Sequence, residues 1–180
     1  MRIISGNYRG RKLVNIEGEN TRPTTDRVKE NLFNLLMFDV QNSTVLDLFA
    51  GSGALGIECL SRGAKFVDFN DSSIETISVI KANLQNIKGD YNINCLDYKS
   101  MLAKSKNNQY DLVFLDPPYK FNIEVELLSD LSNDNIVKIG GKVIYETSKE
   151  LSFESENYEI LKQKKYGITY ISILRRISWK

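Results

Sequence analysis

From Thr44 onward, short apolar runs alternate with segments in which apolar residues recur every three to four positions. The first pattern predicts buried strands and the second predicts amphipathic helices. The expected strands are Thr44–Leu48, Phe66–Asn70, Asn92–Leu96, Leu112–Leu115 and Lys142–Tyr145. The expected helices are Ala54–Ser61, a segment with apolar positions from Ile74 to Ile87, Ser100–Lys104 and Ile123–Leu131. Strands that alternate with helices favour a mainly parallel sheet with helices on both faces.

The last part of the chain breaks this alternation. Tyr158–Ile160 and Tyr170–Leu174 have the apolar pattern of strands, and no helical pattern lies between them. Two strands joined directly form an antiparallel hairpin, which we expect at the edge of the sheet. The sequence therefore predicts an α/β, Rossmann-like fold with seven strands.

The residues before Thr44 predict an arm and a first helix. Arg2 to Ile16 is expected to form a short β-rich arm with turns at its glycines. Arg22-Pro23-Thr24-Thr25-Asp26 then introduces a helix, because its proline ends the extended stretch and its polar residues suit a helix N-terminus. The apolar stripe expected for this helix is Val28, Leu32, Leu35 and Leu36. We expect a basic arm over residues 1–20 and an α/β domain over residues 21–180.

Length and composition limit the classes to which the chain can belong. At 180 residues, it fits one domain with an ordinary core. No apolar run approaches the roughly 20 residues of a membrane helix, and the N-terminus lacks the apolar core of a secretory signal. With no histidine and only Cys59 and Cys95, neither a zinc site nor a disulfide framework is expected. We expect a cytoplasmic protein with no metal and no membrane partner.

The net charge of +1 hides an uneven distribution. Residues 1–12 carry +4 and residues 161–180 carry +6, and neither segment contains an acidic residue. The residues between them therefore carry −9. Basic ends on an acidic body favour a polyanionic partner that binds at the ends, although terminal charges that are simply solvated remain an alternative.

Asp116-Pro117-Pro118-Tyr119 directly follows the strand expected at Leu112–Leu115. Neither proline has an N–H group, so the chain must leave the sheet at the carboxyl end of this strand, where open α/β folds bind ligands. A carboxylate and rigid carbonyl groups can accept both N–H bonds of a planar amine, while Tyr119 covers the ring. The motif predicts an amine-binding site, and a strand-ending turn with a surface tyrosine is the alternative.

A glycine-rich turn lies between the first core strand and its helix, within Asp47–Gly56. Gly51, Gly53 and Gly56 have the G-x-G-x-x-G spacing, which permits a tight turn and brings a ligand close to helix N–H groups that favour anions. Nicotinamide enzymes and nucleoside-binding proteins both use this spacing, and glycines that only close the turn are a third interpretation. The turn alone therefore predicts a site without choosing its ligand.

Acidic residues follow the second and third expected strands. Asp71 comes 20 residues after Gly51, where an acid can accept both ribose hydroxyls of a nucleoside. Asp68 is a rival, but it lies inside the strand rather than at its end. Asp97, just past the third strand, can accept an N–H of an adenine amine. Each acid alone also fits a solvated loop, but their order after successive strands favours one site.

The set of groups favours S-adenosylmethionine (SAM) over a nicotinamide cofactor. A dehydrogenase needs a hydride-accepting partner site, commonly with a histidine, lysine or tyrosine acid–base group, and this chain has no histidine. SAM carries an ammonium, a carboxylate, a ribose and an adenine, which Asp47, the helix N–H groups, Asp71 and Asp97 match in turn. The other residues expected in this site are Phe49, Ala50, Gly51 and Gly53. SAM is the predicted cofactor.

These motifs resemble those of known families. Asp47–Gly56 and Asp116–Tyr119 resemble the SAM and amine-methylation motifs of class I N-methyltransferases. Other segments are similar to those of the bacterial RsmD family, and the resemblance spans nearly the whole chain: Arg2–Gly6, Arg9–Leu13, Arg22–Glu30, Gly140-Gly141 with Glu146, and Lys165-Tyr166-Gly167. One departure is Asn70-Asp71, where the family more usually has an apolar residue and a glutamate.

The resemblance implies an enzyme that methylates the exocyclic amine of one guanine in 16S ribosomal RNA, with an assembled small-subunit particle as the better substrate. We expect the protein to be a monomer. The Asp116 carboxylate and the Pro117 carbonyl would hold the amine, and Tyr119 would stack on the guanine. The residues expected to contact RNA are Arg9, Arg11, Lys12, Arg22 and Thr24. An adenine-specific DNA methyltransferase and a catalytically idle RNA-binding assembly factor are the alternative functions.

Overall fold

A computed structural model describes residues 1–16, 26–117, 123–152 and 155–178. Within these ranges the elements follow the order expected from the sequence. The helices are α1 (Asp26–Leu35), α2 (Ala54–Ser61), α3 (Ile74–Leu84), α4 (Tyr98–Lys104) and α5 (Glu124–Asn133). The strands are β1 (Thr44–Asp47), β2 (Phe66–Asp71), β3 (Asp90–Cys95), β4 (Tyr110–Leu115), β5 (Val137–Thr147), β6 (Tyr158–Tyr166) and β7 (Thr169–Arg176).

The seven strands form one sheet in the order β3-β2-β1-β4-β5-β7-β6. Strands β1 to β5 pair in parallel, and β7 pairs antiparallel with both β5 and β6. The predicted mainly parallel sheet with a terminal antiparallel hairpin is thus confirmed. The hairpin strands are longer than expected, because ladder hydrogen bonds continue through polar residues such as Lys162–Lys165 at the exposed edge. None of the described helices is long and apolar enough to cross a membrane.

Helices cover both faces of the sheet, and each face has its own apolar core. One core lies under α1, α2, α3 and the N-terminal arm, and it includes Phe33, Ile57 and Phe114. The other lies under α4 and α5 and includes Leu46, Leu102 and Leu128. Successive strand residues point to opposite faces, so the central strands β1, β4 and β5 contribute apolar side chains to both cores, which explains their continuous apolar runs in the sequence.

The apolar stripe predicted for α1 is partly wrong. Leu32 and Leu36 are buried, but Leu35 is 38% exposed, whereas Lys29 and Phe33 are fully buried. Lys29 can lie inside because its ammonium pairs with the Glu58 carboxylate at 3.1 Å. An apolar count cannot find a lysine whose partner lies on a distant helix.

The N-terminal arm is less regular than predicted. Its ladder consists of one antiparallel bridge between Arg2 and Lys12, and the arm is held mainly by buried Ile3 and Leu13. The Glu58 carboxylate accepts hydrogen bonds from the backbone N–H groups that follow Ile3, at 2.8 and 3.0 Å. The arm is therefore docked on α2 as part of the folded body. Its predicted boundary at residue 20 falls outside the described residues.

Candidate active site

Five carboxylates lie at or just beyond the carboxyl ends of neighbouring parallel strands. They are Asp47, Asp71, Asp97, Asp116 and Glu146. Asp47 lies beside Phe69 of β2 and Phe114 of β4, and Leu115 of β4 lies beside Tyr145 of β5. The register thus brings residues that are up to 99 positions apart to one edge of the sheet. This is the edge at which open α/β sheets bind ligands.

The glycine-rich turn is attached to β2. Gly51 and Gly53 have φ angles of 52° and 78°, in the left-handed region that favours glycine. The N–H of Gly51 donates to the Asp71 carboxylate at 3.1 Å, and the N–H of Ala50 donates to the Asn70 carbonyl at 2.8 Å. A Cβ atom at Gly51 would meet nothing within 4 Å. The turn is fixed by β2 and leaves open space above Gly51.

Gly56 has a different role, in the packing of α2 on the sheet. A Cβ atom there would lie 2.3 Å from the ring of Phe69, which is fully buried in β2. The N–H of Gly56 donates to the Asp47 carboxylate at 2.9 Å. The third glycine of the motif therefore lets α2 approach the sheet closely, as this spacing requires in nucleotide-binding turns.

Asp47 is 2% exposed at the end of β1. Burial raises the pKa of Asp47 to about 7, with a smaller contribution from the Asp71 carboxylate and against the hydrogen bond from Gly56, which lowers it. A buried carboxylate with this pKa is stabilised in its charged form by a cation. Asp47 is thus suited to the ammonium group that the sequence assigned to it, and that assignment stays a prediction.

Asp71 and Asp97 are both anchored by local hydrogen bonds. The second oxygen of Asp71 accepts from the N–H of Ser73 at 3.0 Å. Asp97 is the N-cap of α4, where the N–H of Ser100 donates to it at 3.1 Å. The hydroxyl and N–H of Ser100 lower the pKa of Asp97, so this carboxylate stays charged. Both acids are positioned as hydrogen-bond acceptors at the edge, and their ligand contacts stay predictions.

The rival acid Asp68 belongs to the interior of the sheet. It is buried in β2 and accepts a hydrogen bond of 2.6 Å from the hydroxyl of Tyr110. Burial, and after it this hydrogen bond to Asp68, raise the pKa of Tyr110 to about 12. Asp68 therefore has a structural role in the interior of the sheet, in agreement with its place inside the strand.

Asp116 lies directly after β4, and its side chain is exposed, whereas Pro117 is buried. The surrounding protein and the carboxylates of Glu146 and Asp47 raise the pKa of Asp116 well above its ordinary value. The negative charges of these two neighbouring carboxylates disfavour the charged form of Asp116. The other half of the predicted motif, Pro118 and Tyr119, lies outside the described residues.

Three side chains near the edge were missed from the sequence. Tyr98 follows Asp97, and its ring lies 6.0 Å from the ring of Phe49 in the glycine-rich turn. The amide of Asn70 donates to the carbonyls of Leu48 and Leu96, which joins the ends of β1 and β3. The amide of Asn83 in α3 donates at 2.9 Å to the carbonyls of Ser52 and Val14. Tyr98 carried a sequence signal in its position next to a predicted site residue, and Asn70 carried one in its departure from the family pattern, whereas Asn83 carried none.

The residues predicted to contact RNA divide into three groups. Arg9 and Lys12 are exposed on the arm. Arg11 is half-buried, and its guanidinium donates to the Gln85 carbonyl at the end of α3, so it also fastens the arm. Arg22 and Thr24 lie outside the described residues. Arg9 belongs to a turn that packs on Ser61 in the last turn of α2.

The described residues fit the groups of SAM. The carboxylates at this edge can bind the ammonium and the hydroxyl groups of SAM. The helix N–H groups can bind its carboxylate. The open space at Gly51 is where the ligand would approach the backbone. Phe49 and Tyr98 add half-buried aromatic surface beside Asp97. Within the described ranges, no group of three or more histidine, cysteine, aspartate or glutamate side chains is arranged to hold a metal ion.

Comparison with known proteins identifies relatives of this chain. The family model described as "Conserved hypothetical protein 95" matches residues 1–175. The chain is 42% identical over 177 residues to "Ribosomal RNA small subunit methyltransferase D" of Haemophilus influenzae, which covers 93% of this chain and 90% of that protein.

Two solved structures extend the comparison to the fold. The yhhF protein of Escherichia coli has a TM-score of 0.89 and 32% identity, with 98% of each chain covered. SMU.776, a structure complexed with S-adenosylhomocysteine (SAH), has a TM-score of 0.67 and 16% identity. The match covers 83% of this chain and 48% of that chain, and at this identity it shows likeness of fold alone. The predicted fold and the predicted cofactor, SAM, agree with these findings. The chain therefore belongs to the conserved hypothetical protein 95 family, the RsmD family that its sequence motifs resemble.

Proposed function

We propose that the chain transfers a methyl group from SAM to the exocyclic amine of a guanine in 16S ribosomal RNA. The observation that supports this most is the place of Asp116 directly after β4, beside Asp47 and Glu146 and at the same edge as the glycine-rich turn. The relative from Haemophilus influenzae is named for the RNA of the small ribosomal subunit. The amine-binding motif and this relationship together favour an RNA base as acceptor.

The chemistry requires orientation more than a strong base. SAM, when bound, supplies a methyl group on a positively charged sulfur. The guanine nitrogen must turn its lone pair out of conjugation towards that carbon, and Asp116 and the Pro117 carbonyl would each accept one of its N–H bonds. Orientation of two reactants can supply about 7–11 kcal/mol of the barrier. The acidic edge would hold the cationic cofactor and, through Asp116, accept hydrogen bonds from the amine.

The arm is the proposed first RNA contact. Arg9 and Lys12 are exposed and free to meet phosphates, which position a substrate without reading its sequence. Arg11 would contribute less, because its guanidinium already binds the Gln85 carbonyl. We expect Arg9→Ala to flatten the salt dependence of RNA binding with little loss of stability. Arg11→Ala should lower stability as well, and Arg22 and Thr24 remain predicted contacts.

Tritium transfer from methyl-labelled SAM tests the proposal. The acceptors are small ribosomal subunits that lack the modification, deproteinised 16S rRNA and duplex DNA. We expect label in the assembled particle first, recovered as guanosine methylated on its exocyclic nitrogen after digestion to nucleosides. Sedimentation of the active species also tests the proposed monomer, and the cytoplasmic location stays a prediction.

Two results would contradict the proposal. Label on adenine of duplex DNA would identify an adenine-specific DNA methyltransferase instead. SAM binding and RNA binding without transfer to any of the three acceptors would identify an RNA-binding assembly factor that keeps the fold.

A further inference from the structure

Three lysines of the basic C-terminal segment, residues 161–180, are exposed in the described part of the fold. Arg176 is fully buried and donates to the carbonyls of Val137 and Ser132, and Arg175 pairs with Glu159. Lys180 lies outside the described residues. The remaining cations are exposed on β6: Lys162, Lys164 and Lys165. No described carboxylate lies within 4 Å of their ammonium groups.

The end of β6 lies at the same edge of the sheet as the candidate site. Strands β5 and β6 run in the same direction, because each pairs antiparallel with β7 between them. Glu146, Ile171 and Lys164 form one row across the three strands. Two strand spacings place the Cα atoms of Lys164 and Glu146 about 10 Å apart. Lys164 is therefore level with the carboxylates of the site.

Lys164 also shares a face of the sheet with these carboxylates. Side chains in one row point to the same face, and Ile171 belongs to the core under α1, α2 and α3. Lys165 points to the other face, in the next row with Tyr170 and Thr147. The last residues of β6 thus present one ammonium group on each side of the sheet.

Tyrosine rings accompany both lysines. The Lys164 ammonium lies 5.3 Å from the centre of the Tyr166 ring, and the Lys165 ammonium lies 5.2 Å from that of Tyr170. We call these four residues the hairpin tip. Lysines with neighbouring aromatic rings are the combination with which proteins bind the backbone and bases of single-stranded RNA.

The edge with the candidate site needs a basic surface beside it, and the arm does not provide one there. A row of five carboxylates repels the phosphates of any RNA that brings a base to Asp116. Arg9 lies on a turn against the last turn of α2, about 12 Å along that eight-residue helix from the glycine-rich turn. The hairpin tip, in contrast, is level with the acidic row.

We infer that the hairpin tip binds the phosphates of the RNA strand that flanks the acceptor nucleotide, as a second contact beside the arm. This inference rests on the proposed function, since it assigns a surface to the same RNA substrate. The lysines would offset the repulsion by the acidic row where the flanking strand leaves the site. Edge-strand lysines that only prevent pairing with another sheet are the competing explanation.

The test compares two double variants that remove the same charge. K164Q/K165Q alters the hairpin tip, and K65Q/K106Q removes exposed lysines that precede β2 and follow α4, at the opposite edge of the sheet. Binding of deproteinised 16S rRNA is measured over a range of salt concentrations, and SAM affinity is measured by calorimetry. Loss of two phosphate contacts should reduce the slope of log K against log salt by about 1.4–1.8 in K164Q/K165Q alone. SAM affinity should be unchanged in both variants.

The outcomes separate the two proposals. If wild type methylates small subunits but the two variants have equal salt slopes, the hairpin contact is wrong and the proposed function stands. If K164Q/K165Q keeps its salt slope and self-associates in sedimentation, the lysines protect the edge and the contact is again wrong. If wild type transfers no label to any RNA, both proposals fail. A reduced slope confined to K164Q/K165Q, with wild-type transfer intact, supports the contact.

Discussion

The side-chain amide of Asn83 donates a hydrogen bond of 2.9 Å to the carbonyl oxygen of Ser52. Helix α3 thereby holds the glycine-rich turn from a position 31 residues further along the chain. The same side-chain amide donates to the backbone carbonyl of Val14, and the side-chain oxygen of Asn83 accepts from the Val14 N–H at 2.8 Å. One buried residue thus connects the N-terminal arm to the turn proposed to bind SAM.

Asn83→Ala should weaken SAM binding and lower stability together. The substitution leaves the carbonyls of Ser52 and Val14 without their donor, and an unsatisfied buried group costs about 1–3 kcal/mol. We expect the free energy of unfolding to fall by about that amount and the SAM dissociation constant to rise about tenfold. Urea unfolding and calorimetry measure the two effects. Asn34→Ala, on the exposed face of α1, is the control, and equal SAM affinity in both variants would contradict the role of Asn83.

Glu58→Gln should release the arm. Glu58 is fully buried, pairs with Lys29 and Arg62, and accepts two backbone bonds from the arm. Burial lowers the pKa of Lys29 even against the attraction of Glu58, so the unpaired lysine would be poorly tolerated. Breaking a buried ion pair costs about 3–5 kcal/mol. Hydrogen exchange at the amides of the arm should accelerate, and unchanged protection relative to the exposed control Glu75→Gln would show that the arm is held otherwise.

Gly56→Ala tests the close approach of α2 to the sheet. The added methyl group would overlap the Phe69 ring at 2.3 Å. Overpacking of this kind costs about 1–3 kcal/mol of stability. The double variant with Phe69→Leu should recover part of the loss, because it makes room for the methyl group. Strictly additive losses in thermal unfolding would mean that this contact does not limit the position of α2.

The pKa of about 7 at Asp47 predicts how pH affects stability and SAM binding. An acid whose pKa is raised on folding holds more protons in the native state, so its contribution to stability falls as pH rises from about 4 to 7. Asp47→Asn should flatten that part of the pH–stability curve, whereas Asp90→Asn at the exposed start of β3 should not. Bound SAM, as a cation, favours the charged carboxylate. Its affinity should therefore rise up to about pH 7 and then level off, and a curve unchanged by Asp47→Asn would exclude contact with the ammonium group.

Asp116→Ala should nearly abolish methyl transfer while SAM affinity stays within about twofold. The alanine variant loses an acceptor that orients the guanine amine, and orientation of the reactants can supply about 7–11 kcal/mol of the barrier. Asp116→Asn keeps the size of the side chain and an acceptor oxygen but removes the charge, so it should retain more transfer than Asp116→Ala and separates hydrogen-bond acceptance from charge. Single-turnover transfer to small subunits is the measurement. Turnover near the wild-type rate in Asp116→Ala would remove Asp116 from the proposed site.

The arrangement of the sheet and the position of its site could be predicted from local patterns. Alternating apolar periodicities gave the five core strands, and glycines and prolines placed the turns at their carboxyl ends. These signals are short-range, because a strand or helix buries one face whatever its neighbours are. Asp47, Asp71, Asp97 and Asp116 were therefore located by their places after successive strands, and the register then brought them to one edge.

The sequence by itself determined the class of fold, the edge that carries the site and, through its motifs, the family. The tertiary structure decided which polar residues hold these parts together. Lys29 with Glu58 and Asn83 with Ser52 join segments that lie 29 and 31 residues apart, and no periodicity marks such partners. The tertiary structure also decided which basic residues near the ends of the chain stay exposed and can bind a partner. The guanidinium groups of Arg11 and Arg176 donate to backbone carbonyls, while Lys164 and Lys165 stay exposed beside the acidic edge. Burial and pairing depend on contacts between distant segments, which the order of residues does not display.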